Sequence, residues 1–468
     1  VTSSTVTLAN NSTHSGIICK QLVTSDNRMT IPRSLCPVLL ILATSTVFAG
    51  DKPPNILLIL ADDVGCETLG CYGGRSYKTP HLDKLAATGL RFRHCYAMPV
   101  CHPTRTCLLT GRYPRHLGHP RWGSFPAADE RHALGHAMKA AKYATAIAGK
   151  WQIAMLGKDL DHPHRLGFDE YCLFGWHEGP RYHQPLLWQN GKRRPDVKDR
   201  YGPDVYCEFL IDFIRRHRNG PFLAFYSMAL CHDVTDDLDH PVPYAAGKDH
   251  YDTYKEMLEA MDVRVGRMIG ALEDLGLRGN TLVLFTTDNG TSKRSLHQAI
   301  DGKYIRRPVS SLLGKTRVPG GKGNLSDDGT HVPLIANWPG RIRPGGVSDQ
   351  LVDMSDFLPT LHELAGRRPT SGRAVKIDGR SFAGILTGRG GSKRTWAYAE
   401  RGKQFFVRTQ QWKLYNNGKL FHASRDPNEQ EPVAAADVPR AARDDIARLR
   451  RALETIDRGH PFPRRKSK

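Results

Sequence analysis

Two pairs of oxygen-bearing side chains stand at equivalent places far apart in the chain. Asp62-Asp63 follow directly on the apolar run Asn55–Ala61 (NILLILA), and Asp288-Asn289 follow directly on Leu282–Thr287. Short continuous apolar runs of this kind read as strands buried on both faces. In an open α/β sheet, ligands gather at the carboxyl ends of such strands. Adjacent carboxylates repel one another unless a cation sits between them. Three carboxylates and an amide oxygen are hard donors, suited to Ca²⁺ or Mg²⁺ and poorly suited to zinc. The alternative is that Asp63 or Asp288 caps a following turn. The same placement at two strand ends favours the metal.

Between the two pairs lies Cys101-His102-Pro103-Thr104-Arg105, running on to Leu109-Thr110-Gly111-Arg112. Residue types and spacing resemble the signature of the sulfatase family. The resemblance implies that Cys101 is oxidised to formylglycine by a formylglycine-generating or anaerobic maturation enzyme. The aldehyde hydrates to a gem-diol: one hydroxyl attacks sulfur and expels the alcohol, and the other lets the covalent sulfate leave. A serine would be trapped as a stable sulfate ester. Pro103 and Thr104 predict a helix starting just after the cysteine, whose amides and dipole favour an anion there. Arg105 adds a fixed cation.

The resemblance extends over nearly all of the chain from Pro54 onward. Lys78–Cys101 is similar to the family's helix and strand leading to the nucleophile, and Ala148-Gly149-Lys150-Trp151 to its Gly-Lys-Trp segment. Gln152 stands where many members have a histidine. Met228–His232 resembles the segment whose histidine serves the leaving oxygen, which makes His232 the general-acid candidate. Gly320-Gly321-Lys322-Gly323 resembles a segment whose lysine binds a sulfate oxygen. His331 stands where an arginine is common, and Leu420–Asp426 resembles a strand of the family's C-terminal subdomain. The resemblance thus implies an alkaline phosphatase-like α/β sandwich. One Ca²⁺ would be held by Asp62, Asp63, Cys101, Asp288 and Asn289. Catalysis would fall to Cys101, Arg105, Lys150, His232 and Lys322, of which Lys150, His232 and Lys322 also bind substrate. The implied activity is hydrolysis of sulfate esters, with sulfated sugars or polysaccharides as substrates. The rivals are a phosphonate or phosphate monoester hydrolase, and a non-catalytic binder of sulfated glycans if Cys101 is never oxidised. Trp176, His177, Arg181 and Tyr182 form an aromatic, basic segment that either lines a sugar pocket or is an ordinary surface loop.

These residues must be positioned by regular elements. Strand-like runs at Ala144–Gly149, Pro221–Met228, Leu282–Thr287 and Val332–Trp338 alternate with helical patterns from Thr79-Pro80 to Gly89, at Tyr254–Leu275 and at Ser355–Ala365. Such alternation predicts an α/β domain with a largely parallel sheet covered on both faces. After the stretch Thr387–Arg394 the pattern changes to short pieces: Trp396–Glu400, Gln404–Thr409, Trp412–Tyr415 and Lys419–His422. They predict a small antiparallel sheet, with Arg440–Ile456 as a helix across it.

The chain has 468 residues and a formal net charge of +20. A basic surface attracts anions, nucleic acid or sulfated and carboxylated polysaccharide. No basic cluster interleaved with aromatics and no helix-turn-helix or zinc-finger spacing is present, which argues against nucleic acid. Arg33, the apolar run Leu35–Ala43 and small residues at Val47 and Ala49 have the form of a signal peptide starting at Met29. The run is too short for a stop-transfer helix, so no stable membrane anchor is expected. The expected organisation is therefore a non-native extension over 1–28, a signal peptide over 29–49, a catalytic domain over 50–386 and a C-terminal α+β subdomain over 387–468. The mature protein would be periplasmic or secreted. The ten cysteines form no CxxC pair, so a structural zinc site is not expected.

Overall fold

A computed structural model describes residues 52–175, 178–182, 184–233, 254–300, 303–367, 376–392 and 394–459. The proposed extension and signal peptide, and Trp176 and His177, lie outside them. A ten-stranded sheet forms the centre. Its order is Gly346–Asp353, Leu90–Tyr96, Leu334–Asn337, Thr281–Thr287, Asn55–Ala61, Phe222–Ser227, Ala144–Lys150, Glu170–Phe174, Trp188–Gln189, Lys192–Arg193. The middle of the sheet is parallel: Asn55–Ala61 runs alongside both Phe222–Ser227 and Thr281–Thr287. Leu334–Asn337 and the two short strands at the far edge run antiparallel to their neighbours.

Alternation along the central strand explains the layers. Ile56, Leu58 and Leu60 enter one apolar cluster; Leu57, Ile59 and Ala61 enter the other. Successive side chains of a strand point to opposite faces, so a strand apolar at every position needs cover on both. One face is covered by helices Pro80–Ala87, Gly202–Arg216 and Tyr254–Asp274, through residues such as Leu82, Leu210 and Met261. The other is covered by helices Cys101–Thr110 and Phe357–Leu364, and by a four-stranded antiparallel sheet of Ala397–Arg401, Gln404–Arg408, Trp412–Tyr415 and Leu420–His422. Tyr398, Phe406 and Trp412 of the small sheet share one core with Leu108 and Leu358. The amphipathic helix Arg443–Gly459 packs on it through Ile446 and Leu449.

The elements agree with the sequence to within one or two residues in most cases. The exception at the site is the helix expected to begin after Cys101. It begins at Cys101, with extended Val100 as its N-cap residue. The eight described cysteines are all free thiols, and all but Cys71 are buried. No helix among the described residues is long and apolar enough to cross a membrane.

Candidate active site

Register brings the two acidic pairs together. Ala61 pairs with Thr287 across adjacent parallel strands, so Asp62-Asp63 and Asp288-Asn289 leave the sheet side by side at its carboxyl edge. The Asp63 amide donates to Asp288 Oδ1 at 3.4 Å. Asp63 itself turns with φ 58°, the left-handed region that aspartate enters more readily than most residues. Its carbonyl accepts the Tyr254 hydroxyl at 2.7 Å. Cys101 meets this corner from the first turn of its helix: its thiol donates to Asp62 Oδ1 at 3.4 Å. One ligand atom from each of Asp62, Asp63, Cys101 and Asp288 lies within 4.8 Å of every other.

Four basic side chains close around the acids. Arg105, one helical turn beyond Cys101, donates to Asp288 Oδ2 through Nε at 2.9 Å and Nη2 at 2.7 Å, and to Ser227 Oγ at 2.5 Å. Lys150, at the end of its strand, donates to Asp62 Oδ2. Gly149 before it has φ 103°, and a Cβ there would stand 2.0 Å from the Ser227 carbonyl. Glycine is what lets the two strands approach here. Lys322 donates to Asp63 at 2.6 Å. His232 Nε2 lies 4.0 Å from Asp63 Oδ2, while its Nδ1 lies 2.9 Å from the Asp233 carbonyl, a donor's position.

The electrostatics are uneven. Burial raises Asp62, but Lys150, His232, Arg105 and Lys322 outweigh it and hold the group well below the usual carboxylate range. Burial pushes Asp63 up to about 7, against Lys322 and with the help of Asp62 and Asp288. Burial and Asp62 raise Asp288 as well. Burial, Asp288 and Asp62 push the Cys101 thiol up to about 12. An unmodified Cys101 is therefore a protonated thiol and a poor nucleophile. Burial and the Lys322 cation carry His232 well below its ordinary value.

The donor set fits a hard cation. The buried Asn289 amide donates from Nδ2 to Asp63 Oδ1 at 2.8 Å, and its Oδ1 has no donor among the described residues. An orphaned buried oxygen beside three crowded carboxylates is what a divalent ion would satisfy.

The chain from residue 54 to residue 367 matches the sulfatase family model. This protein belongs to the sulfatase family. It is a sulfuric ester hydrolase by that membership. The pig (Sus scrofa) N-acetylgalactosamine-6-sulfatase is 29% identical over 83% of this chain and 83% of its own. Human arylsulfatase A is 33% identical over 78% of this chain and 73% of its own, and mouse (Mus musculus) steryl-sulfatase 30% over 75% and 68%. Among solved structures, that of Ps i-CgsB in complex with k-i-k-neocarrahexaose superposes with a TM-score of 0.69 at 25% identity, covering 88% of this chain and 94% of the other. The fold is thus the alkaline phosphatase-like sandwich of sulfatases.

Every residue singled out at this sulfatase's site from sequence converges on the one corner. Of the aromatic, basic segment, the described Arg181 and Tyr182 do not open onto it. Arg181 and Tyr182 are buried, and the Tyr182 hydroxyl sits against the carbonyls of Ala229 and His232. Tyr182 thereby braces the loop that carries His232. His331 does not reach the site: it is half-buried against Tyr96, with Nε2 2.7 Å from the Arg93 carbonyl. The cleft in front of Cys101, about 360 Å³, is walled instead by His119, Trp122, Glu400 and Arg401. No motif marks these residues; only the fold brings the small sheet's first strand beside the Lys322 loop.

Proposed function

We propose that this sulfatase hydrolyses sulfate esters of sugars through a formylglycine formed from Cys101, with a calcium ion bound by Asp62, Asp63, Asp288, Asn289 and residue 101. The observation that carries the reading is the convergence, in one buried corner, of Cys101 with three carboxylates and the cations Arg105, Lys150 and Lys322. A bound calcium ion would supply neutralisation of the sulfate oxygens and of the nucleophile. The chain's own groups do the rest. Arg105 fixes Asp288 and Asp62 to the nucleophile's helix. Lys150 and Lys322 bind sulfate oxygens and stabilise the charge that grows on them in the transition state. The neutral His232 ring faces the site with Nε2; the negative charge of a bound sulfate ester favours its protonation, after which it can donate to the departing oxygen.

Sugars are favoured as substrates by the relatives named for N-acetylgalactosamine 6-sulfate cleavage and bound to a carrahexaose. The phosphate and phosphonate hydrolase reading is less well supported, because the described residues hold one metal-ligating cluster. A signal peptide read from Met29 to Ala49 supports a mature protein in the periplasm or outside the cell.

The test is Cys101→Ala, measured on 4-nitrophenyl sulfate and on sulfated monosaccharides, with mass analysis of the peptide that carries residue 101. Turnover is expected to vanish while the melting temperature stays near wild type, and the wild-type peptide is expected to show formylglycine. Substantial turnover by the alanine variant would sink the mechanism.

A further inference from the structure

Building on the sulfatase mechanism proposed above, we propose that the cleft before Cys101 is a subsite for an anionic sugar, with Trp122 as stacking face and Arg401 as selector of a second negative charge. Cys101, His232 and Lys322 form the inner end of the cleft, and His119, Trp122 and Arg401 its outer wall. Its volume of about 360 Å³ is in the range of small-molecule sites and leaves room for more than a sulfate group.

Trp122 is 43% exposed. An indole exposed to this degree, lining the mouth of a reactive cleft, offers a surface for the apolar C–H face of a pyranose, which it covers without desolvating the sugar's hydroxyls. Arg401 ends the strand Ala397–Arg401 and is exposed. Its Nη1 donates to the carbonyl of Gly323, the residue after Lys322, so the guanidinium is tethered beside the sulfate-binding lysine. No carboxylate among the described residues pairs with it. Glu400, next to it, is buried and turned inward, accepting the Arg115 amide at 2.7 Å and the Tyr398 hydroxyl at 2.8 Å. A fixed guanidinium without an acidic partner selects an anion on the substrate itself. The net charge of +20 favours approach of the same class of polyanion. A sterol would fit this wall badly, because its rings would strip water from Arg401 and His119 with nothing to replace it.

The experiment compares wild type, Trp122→Ala and Arg401→Ala on 4-nitrophenyl sulfate, N-acetylgalactosamine 6-sulfate, the disaccharide that adds a uronate to that sugar, and a sterol sulfate. Trp122→Ala is expected to lower kcat/KM for both sugars relative to the aryl ester by roughly tenfold, mainly through KM. Arg401→Ala is expected to lower it for the uronate-bearing disaccharide roughly tenfold more than for N-acetylgalactosamine 6-sulfate. Ratios unchanged in both variants, or a sterol sulfate preferred by wild type, would overturn the subsite. Calorimetric binding of the same sugars separates this from failure of the sulfatase mechanism. No turnover of any ester, with sugar binding that still depends on Trp122 and Arg401, would sink the mechanism and keep the subsite. Loss of binding dependence as well would sink both.

Discussion

At Cys101 the chemistry is set by what surrounds one sulfur. The thiol sits under Asp62 and Asp288, which hold its proton on, and every cation in reach is already committed to a carboxylate. Such a corner suits an oxygen nucleophile beside a divalent ion far better than a thiolate. A chelator is therefore expected to abolish turnover and added Ca²⁺ to restore it. Recovery with Zn²⁺ while Ca²⁺ stays inert would contradict the oxygen-ligand assignment. His232 offers a second expectation. Expelling a sugar alkoxide needs a proton, whereas nitrophenolate leaves without one, and a general acid is commonly worth roughly 10²–10⁴-fold. His232→Ala should slow sulfated sugars far more than 4-nitrophenyl sulfate. Equal losses on the two would reduce His232 to a sulfate-binding group. Gln152, buried and lining the cleft with Oε1 lacking a donor among the described residues, cannot take over that proton.

Among elements, the strand ends do the positioning. Gly149 is the tightest point: with φ 103° and the Ser227 carbonyl in the way, Gly149→Ala must move one strand or the other. The cost is expected to exceed about 2 kcal/mol in urea unfolding, from backbone strain and the clash together. Turnover should fall as Lys150 shifts; a fully stable and active alanine variant would show that the strands can part. The strands that carry the site were legible because both their faces are buried, which leaves a nearly continuous apolar run. Asn55–Ala61 and Thr281–Thr287 are of this kind. Glu170–Phe174 and Gly346–Asp353 escaped notice: the first is short, and the second carries Ser348, Asp349 and Gln350 near the sheet edge. Helix Gly202–Arg216 escaped as well, opening on Gly-Pro-Asp, which has turn chemistry, although Pro203 is favoured in a first helical turn. The two acidic pairs were readable from local sequence. The walls of the cleft were not, because tertiary packing alone brings Trp122 and Arg401, far apart in the chain, to line one cleft.

Over the whole molecule, the small sheet holds the Lys322 loop in place. Arg408 and Lys413 are buried and converge on the segment after Lys322: Arg408 pairs with Asp327 at 2.5 Å and Lys413 donates to the Leu325 carbonyl at 2.5 Å. Arg401 grips Gly323 from the same side. Buried pairs of this kind lend more to a fixed geometry than to net stability. Glu400 shows the cost. It ties the small sheet to the Arg115 amide, and burial pushes its carboxyl up to about 7 from an ordinary 4.5. The folded state thus holds this proton more tightly than the unfolded chain, so the contribution of Glu400 to stability falls as pH rises from 4.5 to 7 and is level outside that window. Glu400→Gln should gain up to about 2–3 kcal/mol on wild type across the window and no more above it. Unfolding curves at pH 4, 5, 6, 7 and 8 would check this, and parallel profiles for the two proteins would refute it.

The separation of the site's parts along the chain sets a clock. Arg105, one turn from Cys101, finds its partner Asp288 183 residues later. At a synthesis rate of ~5–20 residues per second, Cys101 is made roughly 10–40 s before the strand that will seal it. Until Thr281–Thr287 joins Asn55–Ala61, neither the acidic corner nor the helix packing that buries Cys101 to 3% exposure is complete. On the formylglycine reading proposed above, an enzyme that oxidises this thiol meets it on an unfinished chain, and the opportunity closes with the fold. The order of the strands in the sequence would then govern when the proposed nucleophile can be made.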